Sequence, residues 1–393
     1  MNQNLLHQKL IDWYEMNHRI LPWRETDDPY KIWISEIILQ QTRVAQGMEY
    51  YHRLITRFPD IQSLADAEED EVLLYWQGLG YYSRARNLHK AAQLMKNHEI
   101  FELNKDNINN LRGNQLPAAL QGKTSEPSEL LNSEQIFSAL RSMPGVGDYT
   151  AGAIASFAFN LPYPALDGNV YRVLSRLYDC EIAFDTTQGK KHFRKLAEEL
   201  LDRERARLFN SAIMELGALV CLPTKPMCDE CPLRTWCKAL ANNTVELLPV
   251  RKPRPKVRDR YLEYTIYITP EKTTLIHQRK GNDIWKHLWE FVETTNVNSL
   301  INDNINNLRG NQLPAALQRN TSELSELLNP YKVIEITHVL SHQKLHARFI
   351  IKNVPELPAI PDTLVVKLSE LDNYAFSRLT LNAIEKLLIT YPS

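Results

Sequence analysis

Four of the five cysteines lie close together, and their thiols are the clearest candidates for chemistry. Their spacing is C-x6-C-x2-C-x5-C. Zinc can bind four thiolates, but paired C-x2-C knuckles are then expected, and this stretch has a single C-x2-C. Three cysteines in a compact loop, with one more at the end of a preceding helix, are typical of a [4Fe–4S] cluster. The sequence therefore favours an iron–sulfur cluster over zinc, with the ligands Cys221, Cys228, Cys231 and Cys237.

Two carboxylates are the next candidates. Glu36 lies inside the apolar helical run WISEIIL, and a buried carboxylate needs either a cationic partner such as arginine or a raised pKa that suits a general acid. Asp167 precedes the helical run VYRVLSRL. There it can simply cap the helix, and the helix N-terminus keeps such a carboxylate ionised. Removing a base from deoxyribose needs this pair of groups, an acid for the base and an anion facing the sugar.

A glycine-containing hairpin is predicted at Pro144, Gly145, Val146 and Gly147, between two short helices. Its glycines allow the backbone to approach another surface closely. The exposed amides open onto the positive end of the following helix, which makes an anion site suited to a DNA phosphate. A lone GxG is weak evidence, and it gains weight only from the neighbouring motifs.

These groups must be positioned mainly by helices. An amphipathic first helix that stops before Pro22 is predicted from the apolar positions Leu5, Leu6, Ile11, Trp13 and Tyr14. Proline and basic residues at 245–260 indicate a linker, and the residues after it alternate in the manner of strands. The expected fold is a mostly α N-terminal region followed by an α+β domain. The further helices are predicted at 30–51, 60–76, 83–98, 133–142, 149–159, 167–178, 188–200 and 203–220.

Composition sets broad limits. The 393 residues suggest two or three domains, and 44% are hydrophobic, as in ordinary globular proteins. The sequence has neither a membrane-length apolar run nor the apolar core of a secretory signal, and clustered cysteines fit a reducing compartment. We therefore expect a cytoplasmic protein without a membrane segment. The net charge of -1 gives no support to nucleic-acid binding, so DNA affinity would need a local basic surface.

One segment occurs twice. The sequence DNINNLRGNQLPAALQ stands at Asp106–Gln121 and again at Asp303–Gln318, within inserts at about 104–132 and 301–329. One copy lies among predicted helices and the other among predicted strands, so the two copies cannot share a fold role. We interpret them as inserted surface elements, and a shared partner-binding segment is the alternative.

Together, the residues from Leu21 to Pro249 resemble the helix-hairpin-helix/iron–sulfur DNA glycosylases, and within them the adenine DNA glycosylases. This resemblance implies a six-helix barrel lobe, a cluster lobe and an active site in the cleft between them. The motifs that carry it are LPWR (21–24), SEIILQQTRV (35–44), GLGYYSRARNL (78–88), MPGVGDYTAGAIAS (143–156), LDGNVYRVLSR (166–176) and ELGALVC (215–221) with the cysteine loop.

The resemblance also implies roles for single residues. Glu36 corresponds to the acid that protonates adenine N7, and Asp167 to the carboxylate that stabilises or transiently bonds the sugar C1′. Tyr149 and Asn169 correspond to residues that position this carboxylate and the water. The remaining implied contacts are Arg19, Trp23, Arg24 and Leu39 around the extruded adenine, Gln41 and Tyr81 wedged beside the opposite base, and Thr42 and the hairpin residues 145–147 on DNA.

Position 149 discriminates between related activities. Endonuclease III-type relatives place there a lysine whose amine forms a Schiff base and permits strand cleavage. Tyr149 cannot form that imine, so the resemblance implies a monofunctional glycosylase. The rivals are an endonuclease III-like lyase and a catalytically idle DNA-binding or iron–sulfur sensor protein. Ser211 departs from the family, where Gln or Glu commonly contributes to adenine recognition.

The C-terminal third resembles the Nudix-like, MutT-like domain of the same family, which examines 8-oxoguanine opposite the adenine. The matching segments are LWEF (288–291) and THVLSHQKLH (337–346), with His338, Ser341 and His342 as the expected contacts. Leu340 stands where an aromatic residue is usual, and no pyrophosphatase motif is present.

The predicted organisation is a glycosylase region at 1–244, a linker at 245–260 and a recognition domain at 261–393. The implied substrate is double-stranded DNA with adenine opposite 8-oxoguanine or guanine. The resemblance further implies a monomer that is bacterial and associates with the nucleoid when bound to DNA.

Overall fold

The computed structural model describes residues 2–101, 132–253, 257–294, 332–340 and 342–391. The two predicted inserts lie almost entirely outside these residues, as does Ser341. The chain forms two compact units. The first comprises Met1–Asp66 and Asn87–Pro253, and the second comprises Ala67–Arg86 and Arg254–Ser393.

The first unit is helical. Its chain begins with a helix capped by Asn2, whose side chain accepts from the Leu5 amide, and continues through further helices joined by short connections. No helix in the described ranges is long and apolar enough to cross a membrane. The helices are α1 Gln3–Asn17, α2 Pro29–Ile38, α3 Val44–Arg57, α4 Ile61–Ala65, the later part of α6 Ser83–Met95, α7 Ser133–Ser142, α8 Asp148–Phe159, α9 Gly168–Tyr178, α10 Thr187–Leu200, α11 Ala206–Leu219 and α12 Lys238–Ala241.

The core of this unit is built around α8, whose residues from Thr150 to Phe159 are all buried. A helix that is apolar on every side must be surrounded by other elements. Helices α2, α7 and α11 pack against it, and α11 also contacts α1 and α9. The two predicted carboxylates belong to α2, which carries Glu36, and to the start of α9, where Asp167 is the N-cap.

Two helix predictions are wrong. The predicted helix at 30–51 is broken into α2 and α3, because Gln41 adopts a left-handed backbone conformation (φ 60°) that cannot continue a right-handed helix. The predicted helix at 60–76 is also two helices, since α4 ends at Ala65 and α5 begins at Glu69. The remaining predicted helices agree with the structure to within about three residues at each end.

The second unit contains a six-stranded sheet of order β4-β5-β1-β3-β2-β6. Strands β1 and β5 are parallel, in a register that runs from Arg258↔Gln343 to Ile268↔Asn353, and the other pairs are antiparallel. The mostly α N-terminal region and the α+β C-terminal region are both confirmed. The elements are α5 Glu69–Trp76, the start of α6, β1 Arg258–Ile268, β2 Thr273–Gln278, β3 Trp289–Glu293, β4 Lys332–Val339, β5 Gln343–Asn353, β6 Thr363–Lys367 and α13 Arg378–Thr390.

Candidate active site

A cavity of about 750 Å³ in the helical unit brings together most of the residues predicted to do chemistry. The end of α2 and the starts of α8 and α9 contribute residues to its lining. Its volume is ample for an extruded nucleobase. The predicted residues that line it are Arg19, Trp23, Arg24, Glu36, Leu39, Gln41, Thr42, Gly147, Tyr149, Asp167 and Asn169.

Glu36 lies on α2 and is 2% exposed. The hydroxyl of Tyr149 donates to its Oε2 at 2.8 Å, and Arg24 approaches its Oε1 at 3.3 Å through Nη2. The Arg24 guanidinium in turn stacks on the ring of Phe157, 3.7 Å from the centroid. The arginine pairing that the sequence offered as one explanation of a buried Glu36 is therefore present, and Tyr149 is a second donor to the same side chain.

Asp167 is the N-cap of α9 and lines the same cavity. It accepts hydrogen bonds from the Val170 amide at 2.7 Å and from Asn169 Nδ2 at 2.9 Å. Burial raises the pKa of Asp167, the two hydrogen bonds oppose this shift, and the nearby Glu36 charge adds to it. The sequence-based expectation is that the helix N-terminus keeps this carboxylate ionised, and the capping bonds act in that direction whereas burial acts against it.

The hydroxyl of Tyr149 is influenced by the charges of both carboxylates. Burial raises its pKa well above the ordinary value, and the charges of Glu36 and Asp167 raise it further. The phenol therefore stays protonated at neutral pH and acts as a hydrogen-bond donor.

A chain of hydrogen bonds runs from Asp167 towards the cysteine loop. Asn169 Oδ1 accepts from Arg172 Nη2 at 2.8 Å, and the Arg172 Nε donates to the Cys221 carbonyl at 2.6 Å. One turn later on α9, Arg176 approaches Cys221 Sγ at 3.3 Å through Nη1. Helix α9 thus fixes the orientation of Asp167 at one end and the first cysteine at the other.

The four predicted ligands lie around one small cavity together with Arg176. Burial raises the pKa of the Cys231 thiol to about 12, a Leu233 backbone hydrogen bond lowers it, and the other three cysteines raise it. Four thiolates in this setting require positive charge to offset them, as a cluster of iron ions provides. The described residues contain no group of three or more His, Cys, Asp or Glu side chains that could hold a metal ion as they stand. The four cysteines share the lining of one small cavity instead.

The predicted hairpin is present between α7 and α8. Gly145 has φ 80°, and a Cβ there would lie 2.9 Å from the Asn87 Cβ, so both conformation and space require glycine. Val146 is 5% exposed and faces the core. Gly147 is the N-cap of α8, and a Cβ there would meet open space.

A second cavity, of about 290 Å³, lies within the second unit. Tyr81, His338 and His342 all line it, together with Trp285 and Arg378. Burial and the Arg378 charge lower the pKa of His338, which is therefore neutral at neutral pH. Tyr81 is 45% exposed, and its backbone is left-handed with φ 48°.

Comparisons with known proteins show which families the chain is similar to. Residues 34–203 match the HhH-GPD superfamily of base excision DNA repair proteins, and residues 263–386 match the NUDIX domain. The adenine DNA glycosylase of Buchnera aphidicola subsp. Baizongia pistaciae is 33% identical over 355 residues, which cover 88% of this chain and 85% of that protein.

This chain belongs to the adenine DNA glycosylase family.

The chain is also similar to other glycosylases. The adenine DNA glycosylase of Buchnera aphidicola subsp. Acyrthosiphon pisum is 33% identical and covers 75% of this chain and 76% of that protein. The mouse adenine DNA glycosylase is 37% identical, over 64% of this chain and 44% of its own length. A solved thermostable thymine-DNA glycosylase is 24% identical and covers 61% of this chain and 97% of its own, with a TM-score of 0.48.

As a member of this family, the protein is a DNA glycosylase of base excision repair that hydrolyses N-glycosyl bonds. Its cavity also contains residues that the sequence analysis missed as lining the site, among them Tyr14, Gln40, Lys190 and Glu215. Glu215 is 6% exposed and binds Arg19 through two hydrogen bonds, Nε–Oε1 at 2.6 Å and Nη2–Oε2 at 2.8 Å. The signal that identified Glu36, a carboxylate within an apolar helical run, was also present at Glu215.

Proposed function

We propose that the protein releases adenine opposite 8-oxoguanine or guanine in duplex DNA and leaves an abasic site. The observation that carries this proposal is the single cavity that holds Glu36, Tyr149 and Asp167. In this proposal, residues 1–244 form the glycosylase region, 245–260 the linker and 261–393 the recognition domain.

The geometry suits acid-assisted departure of the base. Protonated Glu36 donates its proton to adenine N7, and the C1′–N9 bond then breaks with its electron pair moving to the base. The Asp167 carboxylate faces the oxocarbenium-like sugar and stabilises the positive charge at C1′. A water molecule adds to C1′ and gives its proton to a carboxylate, which completes the hydrolysis. Asn169 holds Asp167 in place through its hydrogen bond to Oδ2.

A monofunctional reaction follows from the side chain at position 149. Strand cleavage by a lyase needs an amine that attacks C1′ and forms an imine. Tyr149 supplies a phenol that donates to Glu36 instead. The product should therefore remain an abasic site in an intact strand.

The four cysteines are proposed to hold a [4Fe–4S] cluster. The four cysteines that would hold the cluster line one small cavity with Arg176, and a bound cluster would link the loop at 221–237 without supplying bond-breaking chemistry. In the Cys237→Ser variant we expect less bound iron, a lower melting temperature and weaker DNA binding, with a smaller change in the single-turnover rate at saturating enzyme. Full iron content and unchanged melting would contradict the assignment.

Recognition of the base opposite adenine is assigned to two groups of residues. Gln41, Thr42 and Tyr81 have the amide, hydroxyl and aromatic groups suited to filling the gap left by the extruded adenine. His338 and His342, with Ser341 between them, are proposed to contact 8-oxoguanine. Both histidines line the cavity of the second unit.

A glycosylase assay tests the whole proposal. Purified protein is mixed with a duplex that contains one adenine:8-oxoguanine pair, and released base and strand scission are measured separately. We expect adenine release, with scission appearing only after alkali. Scission without alkali, or release of thymine glycol from a control duplex instead of adenine, would favour an endonuclease III-like lyase. No release from either duplex would favour a DNA-binding protein without activity.

A further inference from the structure

The loop between α1 and α2 carries three side chains that line the cavity of the helical unit, Arg19, Trp23 and Arg24. The same loop leads directly into α2, the helix of the proposed acid Glu36. Turn bonds within the loop, such as the one from the Arg24 amide to the Leu21 carbonyl at 2.7 Å, fix its local shape. They do not fix its place against the other helices, which depends on what binds the loop from outside.

Helix α11 binds this loop near both of its ends. At the start of the loop, Glu215 accepts from the backbone amide of Arg19 at 3.0 Å and from its side chain at 2.6 Å. At the end, Arg207 Nη2 donates to the Arg24 carbonyl at 3.1 Å and to the Thr26 carbonyl at 2.8 Å. The two α11 residues are one helical stretch of about 12 Å apart, so a single rigid element holds the loop at two points.

The contacts of Arg207 suit it to hold backbone in place. A terminal guanidinium nitrogen has two N–H groups, so one nitrogen serves both carbonyls. The backbone amide of Arg207 donates to Asn160 Oδ1 at 2.8 Å, which ties the start of α11 to the end of α8. Burial lowers the pKa of Arg207 and the Arg24 charge lowers it further, whereas Glu25 raises it. The guanidinium nevertheless remains charged at neutral pH, and its hydrogen bonds to the carbonyls are charge-assisted.

The position of the Arg24 side chain shows why this anchor bears on the reaction. Its Nη1 and Nη2 lie 3.4 and 3.3 Å from Glu36 Oε1, near the outer limit of a hydrogen bond. At that separation, a shift of about 0.5 Å in the Arg24 backbone is enough to lose the contact. The ring of Phe157, 3.7 Å from the guanidinium carbon, restricts the group along one direction. The backbone of Arg24 must supply the remaining restraint.

We infer that Arg207 is a positioning residue for the proposed general acid, because it fixes the backbone from which Arg24 reaches Glu36. This inference rests on the proposed function. After Glu36 gives its proton to the base, Arg24 stabilises the carboxylate that remains, and such stabilisation is strongest when the donor is held in place beforehand. Without the Arg207 contacts the loop moves, the distance between Arg24 and Glu36 lengthens, and base release slows.

A double-mutant cycle of Arg207→Met and Arg24→Met tests the inference. Methionine keeps an unbranched stem and offers no donor. Adenine release is measured in single turnover at saturating enzyme, on a duplex with one adenine:8-oxoguanine pair. We expect Arg207→Met to slow release about tenfold, the size of one lost hydrogen bond to a charged group, with the Kd for the duplex within about twofold of wild type. In the Arg24→Met background the same substitution should change the rate less than about twofold, because its effect passes through Arg24.

Two control variants separate the carbonyl contacts from charge alone. Arg207→Lys retains a terminal group with enough N–H donors for both carbonyls, and we expect it to recover most of the lost rate. Arg203→Met removes a positive charge from an exposed position close to Arg207 in the sequence, and we expect wild-type rates. If thermal melting shows that Arg207→Met does not fold, Arg207→Gln, with one amide donor group on a shorter stem, takes its place in the cycle.

The outcomes separate the inference from the function on which it rests. Equal losses in the wild-type and Arg24→Met backgrounds would show that Arg207 supports the fold in general. An unchanged rate in Arg207→Met would show that Arg24 needs no such anchor, and an Arg207→Lys rate as low as that of Arg207→Met would count against the carbonyl contacts. Any of these results, with wild type still releasing adenine, overturns the inference alone. Absence of adenine release by wild type overturns the proposed function as well.

Discussion

At the scale of single residues, two carboxylates in one cavity have different surroundings. Glu36 is surrounded by the donors Tyr149 and Arg24, whereas Asp167 accepts from the start of its own helix and from Asn169. Groups of the same type can take opposite roles in catalysis when their environments differ in this way. In the proposed mechanism, Glu36 gives a proton and then bears charge, and Asp167 is the carboxylate that faces the sugar.

The Asp167→Asn variant tests the anion directly. Asparagine retains the size of the side chain and can still cap α9, but it carries no charge to stabilise C1′. We expect single-turnover adenine release to be lost, while the dissociation constant for adenine-containing duplex stays within a fewfold of wild type. Measurable turnover by this variant would remove Asp167 from the mechanism.

The raised pKa of Asp167 also has a consequence for stability. The folded protein holds this proton more tightly than the unfolded chain, so the group's stabilising contribution is present at low pH. It is lost as pH rises from the ordinary aspartate pKa through the raised folded value. The melting temperature of Asp167→Asn minus that of wild type should therefore become more positive as the pH rises from 4 to 8. The exposed control Asp12→Asn should show no such trend, and a flat difference for both would contradict the shift.

At the scale of elements, local sequence patterns predicted where helices begin, but they could not predict how distant helices pack around the cavity. Asn132, Asp167 and Thr186 each cap a helix close to where the sequence placed its start. The break at Gln41 was missed because the surrounding residues include neither glycine nor proline. Tyr14 could be assigned to an amphipathic helix, but its place in the cavity depends on packing between α1 and α11, which are distant in sequence.

Close packing of α9 against α11 predicts the effect of a glycine substitution. A Cβ at Gly217 would lie 2.6 Å from the Asn169 Cβ and 3.1 Å from its backbone. Gly217→Ala must push the start of α9 away, which we expect to cost about 1–3 kcal/mol of unfolding free energy and to slow base release. Gly168→Ala is the matched control for stability, because a Cβ there meets nothing within 4 Å. Equal denaturation midpoints for the two variants would refute this account.

At the scale of the whole molecule, the proposed function assigns different tasks to the two units. The helical unit contains both carboxylates and the four cysteines, whereas the unit with the sheet contains the cavity lined by Tyr81, His338 and His342. The proposed bond-breaking groups and the histidines proposed to contact the lesion therefore lie in different units, whereas Gln41 and Thr42 lie in the helical unit. Substitutions in the second unit should change the preference for adenine opposite 8-oxoguanine over adenine opposite guanine. They should have less effect on the rate at which the glycosidic bond breaks.

The two histidines test that division. His338→Ala and His342→Ala remove ring nitrogens from the second cavity, and His338 is a neutral donor or acceptor there. We expect the ratio of kcat/KM for adenine opposite 8-oxoguanine to that opposite guanine to fall about tenfold, the size of a lost hydrogen bond, with the guanine duplex nearly unaffected. His346→Ala is the matched control, since His346 lies on β5, contacts Asp259 at 2.7 Å and does not line the cavity. An equal decline on both duplexes would assign these histidines to general DNA binding, because recognition of the damaged base changes the ratio and uniform binding does not.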